Sequence, residues 1–76
     1  MRELVELLAK SLVEHPEQVQ VSVHEDGDML TCEVRVAPDD IGKIIGKQGR
    51  IVKAIRVVAK AAGAREGKRV MVEIPG

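Results

Sequence analysis

The chain contains no phenylalanine, tyrosine or tryptophan. Its core must therefore be built from Val, Ile, Leu, Ala and Met. The same absence excludes holding a nucleic acid by stacking bases on aromatic rings, the route of RRM and OB folds. Cys32 is the only cysteine, so no internal disulfide forms and the residue reads as a small buried apolar group. Net charge is zero, which argues against a general binder of polyanions. No apolar run is long enough to span a bilayer, and Met1-Arg2-Glu3-Leu4 lacks the apolar stretch of a signal peptide. The expected location is the cytoplasm, with no membrane partner.

Catalytic constellations are missing as well. No nucleophile, base and orienting group fall together, and Asp39-Asp40 reads as helix-capping carboxylates rather than an acid/base pair. His15 and His24 lie on either side of a strand and read as surface residues, not metal ligands. The expectation is a protein that is not an enzyme and needs no cofactor or metal.

What is present is uneven charge. Residues 1–28 carry Glu3, Glu6, Glu14, Glu17, Glu25, Asp26 and Asp28 against Arg2 and Lys10. Residues 41–60 carry Lys43, Lys47, Arg50, Lys53, Arg56 and Lys60 and no acid. The 76 residues allow one domain, 1–76. A chain of that size buries only about 60% of its unfolded surface, so a partner subunit would add to a small core.

Periodicity gives the elements. Residues 2–14 have helical spacing, with Leu4, Val5, Leu8 and Leu12 on one side, and His15-Pro16 ends the helix. Val19, Val21 and Val23 alternate inward along a strand. Glu25-Asp26-Gly27-Asp28 forms a hairpin turn, and a second strand runs from Met29 to Ala37 with Leu30, Cys32, Val34 and Val36 inward. A short helix, Asp40–Ile45, precedes Gly46-Lys47-Gln48-Gly49, and a longer helix covers Arg50–Ala62, stopped by Gly63. Arg69–Ile74 is the last strand, with Val70, Val72 and Ile74 inward. The order α-β-β-α-α-β predicts an α+β fold. Its three-stranded mixed sheet has the last two strands parallel and the helices on one face.

Gly46-Lys47-Gln48-Gly49 is the stretch around which the rest is organised. Glycines let a backbone turn sharply and let a ligand approach closely. Free N–H groups of a helix starting at Arg50 would attract an anion, and Lys47 and Arg50 add positive charge. With Ile41-Gly42 ahead of it and Ile51 and Ile55 behind, this stretch resembles the G-x-x-G signature of the KH domain, which clamps single-stranded nucleic acid. The element order is similar to the type II arrangement of that fold. Over its whole length the chain resembles the KhpA (YlqC) family of small stand-alone bacterial RNA-binding proteins. The resemblance implies an RNA-chaperone-like role, association with a second KH protein of the KhpB kind, and an influence on cell-wall synthesis and cell length.

The site that follows has three parts. Backbone N–H groups of Lys47 to Arg50 meet phosphates, with the Lys47 and Gln48 side chains flanking them and Gly46 and Gly49 forming the bend. Lys43, Arg50 and Lys53 extend the positive edge, and Ile45 and Ile51 floor the groove. Edge residues of the Met29–Ala37 strand are candidates for base contacts. The alternative function is a docking module with little RNA affinity, dimerising through Val52, Val57 and Val58 on the longer helix.

Overall fold

The computed structural model describes residues 1–75, apart from the side chain of Lys47. Three alternating segments form one sheet: β1 (Gln20–Asp26), β2 (Met29–Arg35) and β3 (Arg69–Glu73), in the order β1-β2-β3. Strands β1 and β2 are antiparallel, from Gln20 opposite Arg35 to Asp26 opposite Met29. Strand β3 runs parallel to β2, from Met29 beside Arg69 to Glu33 beside Glu73. Gly27, at φ 63, takes the first position of the two-residue hairpin loop, where an L side chain would be strained.

Two helices cover one face. Helix α1 (Arg2–Leu12) lies over β1, and α2 (Pro38–Arg65) lies along β3. Between them the sheet supplies Val21, Leu30, Cys32, Val34, Val70 and Val72, with Val19 just ahead of β1, and the helices supply Val5, Ala9, Ile55 and Ala59. The strand phases expected from alternation are those observed. Burial pushes the Cys32 thiol above its ordinary pKa, against the weaker pull of the N-terminal charge, so it stays a neutral core group. No helix among the described residues is long and apolar enough to cross a membrane.

Element α2 differs in detail from the expected pair of helices. It is one helical element of 28 residues, with no four-residue break. Straight, it would extend about 42 Å at 1.5 Å per residue, yet the molecule's longest dimension is 34 Å. The bend is at Gln48 and Gly49, with φ of 63 and 69. Successive left-handed residues cannot continue a right-handed helix, so two helical arms abut there. Gly46 and Lys47 belong to the first arm. Counting both arms, the order is the expected α-β-β-α-α-β.

Both helix ends also moved. Helix α1 stops at Leu12, before an extended Val13, and a short 3-10 turn follows at Pro16–Gln18. The outer leucines of α1 are open to solvent, Leu7 at 69% and Leu4 at 46%, so its apolar stripe is wider than the core it covers. The stop of α2 is Gly67, not Gly63. Gly67 has φ 69; its N–H donates to Ala64 O and the Lys68 N–H to Gly63 O, the pair of bonds that closes a Schellman end.

Gly63 is glycine for a different reason. A Cβ there would lie 2.1 Å from Val70 Cγ2, so the absent side chain lets α2 touch β3. Gly63→Ala should destabilise the fold by about 1–3 kcal/mol through overpacking, although alanine is the better helix former. A urea melt showing wild-type stability or better would refute the close contact.

Candidate functional site

The groove is built from three segments. Leu12 from the end of α1, Gly42, Lys43 and Gly46 from the first arm of α2, and Ile51 from the second arm line a cavity of about 390 Å³. Its distinctive wall is the first arm. Gly42 and Gly46 are four residues apart and therefore share a helix face. Neither has positive φ, and a Cβ built on either meets nothing within 4 Å. Glycine inside a helix costs roughly 0.5–1 kcal/mol relative to alanine. The fold gains nothing at these two positions for that cost; the gain is a strip of bare backbone facing the groove.

Gly49 differs, since its positive φ makes it part of the bend itself. Gln48 is exposed and Gly49 half-buried. Outside the helix's own bonding, no backbone hydrogen bond among the described residues involves positions 46–50. Arg50 and Lys53 are exposed on the second arm, with no carboxylate within ion-pair distance among the described residues. Lys43 is paired with Glu14. The Lys47 side chain, expected at the centre of the site, lies outside the described residues.

Ile51 lines the groove and rests against the core. Ile45 does not line it and is 56% exposed. Leu12 takes the apolar place expected of Ile45, because α1 ends beside the first arm. No periodicity pointed to Leu12 or Gly42 as groove residues; only the topology brings them together.

The expected base-contacting strand is corrected in part, since its residues past Glu33 lie beyond the pairing with β3. Strand β2 is central and paired on both edges, so between Met29 and Glu33 it offers no open edge. The open edge beside α2 belongs to β3. There Arg56 and Lys60 from α2, with Met29, Met71 and the β3 valines, surround a concavity of about 300 Å³.

Asp40 is the second correction. It caps nothing on α2, whose N-cap residue Ala37 makes no side-chain hydrogen bond. Instead its fully buried carboxylate accepts the Glu14 and His15 N–H groups, each at 3.0 Å, and so ties the end of α1 to the first arm. Burial opposes its ionisation, but the two amide bonds, with His15 and Lys43 nearby, outweigh it and hold its pKa below the ordinary value.

The chain also carries a family signature. A family model described as "KhpA/KhpB, KH domain" matches residues 2–74. The chain belongs to the KhpA/KhpB KH-domain family. Among its KhpA relatives, the "RNA-binding protein KhpA" of Clostridium acetobutylicum is 57% identical over 97% of this chain and 99% of its own. That of Aquifex aeolicus is 45% identical over 97% and 94%. Among solved structures, Era in complex with MgGDPNP and nucleotides 1506-1542 of 16S ribosomal RNA is similar, with TM-score 0.67 and 27% identity. That match covers 96% of this chain and 28% of the Era chain.

The third expected surface divides. Val57, 68% exposed, and Val58 line an apolar groove of about 550 Å³ with Leu4, Ala61 and Ala62. Val52 is not part of it and sits beside the Gly49 bend.

Asp40 sets a pH dependence. Its folded pKa is lowered, so its contribution is complete above the unfolded value of about 3.9 and is lost as pH falls through the folded pKa. Asp40→Asn should lower the melting temperature at neutral pH by several degrees and flatten its fall between about pH 5 and pH 2. Thermal melts at a series of pH values check this; parallel curves for both proteins would contradict it.

Proposed function

We propose that the protein binds single-stranded RNA in the groove between the end of α1 and the two arms of α2. The observation that carries this is the bare backbone at Gly42 and Gly46, which the fold does not require and which a sugar–phosphate strand can approach closely. Phosphates rest against this strip and the Gln48–Arg50 bend. Lys47, Arg50 and Lys53 supply charge, while Leu12 and Ile51 give base faces an aliphatic floor, with Ile45 at the outer rim. The names of the KhpA relatives support RNA as the ligand class. The Era match supports the same fold serving in an RNA complex.

In this reading the chain is a cytoplasmic post-transcriptional regulator of RNA-chaperone type. It works with a second KH protein of the KhpB kind, with consequences for cell-wall homeostasis and cell length. The apolar groove at Leu4, Val57 and Val58 favours a docking role held alongside RNA binding. A second copy or the KH partner covers it, which suits so small a core.

Gly46→Ala separates the two demands on that residue. Folding stability should stay equal or rise by up to about 1 kcal/mol, while RNA affinity should fall roughly tenfold, about 1.4 kcal/mol. Filter binding with a single-stranded oligonucleotide, set beside a urea melt, reads both; retained affinity would remove the groove assignment. For the apolar groove, Val57→Asp should turn a dimer into a monomer by sedimentation. A monomeric wild-type protein at high concentration would contradict the homodimer.

A further inference from the structure

Among the positive side chains around the groove, Lys43 differs from Arg50 and Lys53 in already having a partner. It lines the groove beside Gly42 and Gly46 and forms an ion pair with Glu14. The position of Glu14 is not incidental. Asp40 accepts the N–H groups of Glu14 and His15, which fixes the end of α1 against the first arm and leaves the Glu14 side chain at the lip of the groove, 64% exposed.

We propose that Glu14 is a built-in competitor of the RNA phosphate for Lys43. An arriving phosphate must displace one carboxylate to reach this lysine. The displaced carboxylate stays at the lip, where it repels the neighbouring phosphate. Glu14 thereby keeps the groove's grip weak and quickly reversible, and assigns most of the productive charge to the second arm. This inference rests on the RNA reading above.

Glu14→Gln keeps the length of the side chain and the N–H that Asp40 holds, and removes only the charge. An exposed ion pair is worth at most about a fivefold effect, so the variant should bind a single-stranded RNA oligonucleotide about three- to fivefold more tightly at low salt. Freeing one cation should steepen the slope of log affinity against log salt by about 0.7. Lys43→Gln should cost more affinity in the Glu14→Gln background than in the wild type. A thermal melt accompanies each variant, because a purely structural role would shift stability without changing the salt slope. Glu14→Lys, which adds a cation at the lip, should bind more tightly still. Wild-type affinity and slope for Glu14→Gln, in a protein that binds RNA, would overturn the competition and leave the groove assignment intact. Absence of binding by the wild type and all variants would overturn the RNA reading, and this inference with it.

Discussion

Without the left-handed pair Gln48 and Gly49, α2 would be a single rod too long for the molecule, and its first arm would leave the body of the fold. The bend returns the chain so that glycines of one arm and Ile51 of the other face a common groove with Leu12. The constraint is steric. A left-handed residue with a Cβ costs roughly 1–2 kcal/mol, and here glycine fills only one of the two places. Gln48 accepts strain that Gly49 avoids, and such strain persists only when surrounding structure over-determines it. The long second arm, seated along β3 with Ile55 and Ala59 fully buried, supplies that support.

Position and electrostatics then meet at Asp40. A buried carboxylate is tolerated only when its oxygens are bonded, and here each oxygen takes one backbone N–H from the end of α1. The bond that stabilises the charge also sets the mouth of the groove. It brings Leu12 to the apolar wall and Glu14 to Lys43. Across that opening one acid that follows α1, Glu14, meets one base of α2, Lys43.

Much of this was legible in the chain itself. Strand phases followed from strict alternation, the parallel β2–β3 pairing from a crossover containing helices, and the family from the glycine motif with its isoleucine flanks. What escaped was non-local. Gly63 read as the helix stop; only the approach of Val70 shows that it is a packing contact, while the cap is Gly67. Asp39-Asp40 looked like capping acids because caps are local, whereas the partners of Asp40 lie 25 and 26 residues away. The β2 edge was a candidate for base contacts over its whole length; the register with β3, a non-local feature, closes it from Met29 to Glu33. Gly42 passed as part of a motif, since a glycine needed for bare surface and one needed for a turn are the same letter.

The central claim is that backbone left bare by glycine, rather than rings or a dense charge field, receives the nucleic acid. Amide chemical shifts on titration with a single-stranded RNA oligonucleotide test it most directly. The largest changes should fall at Gly42, Gly46 and Gln48 to Ile51, with Leu4, Val57 and Val58 little affected. Changes confined to the Leu4–Val57–Val58 groove, or none anywhere, would contradict the account.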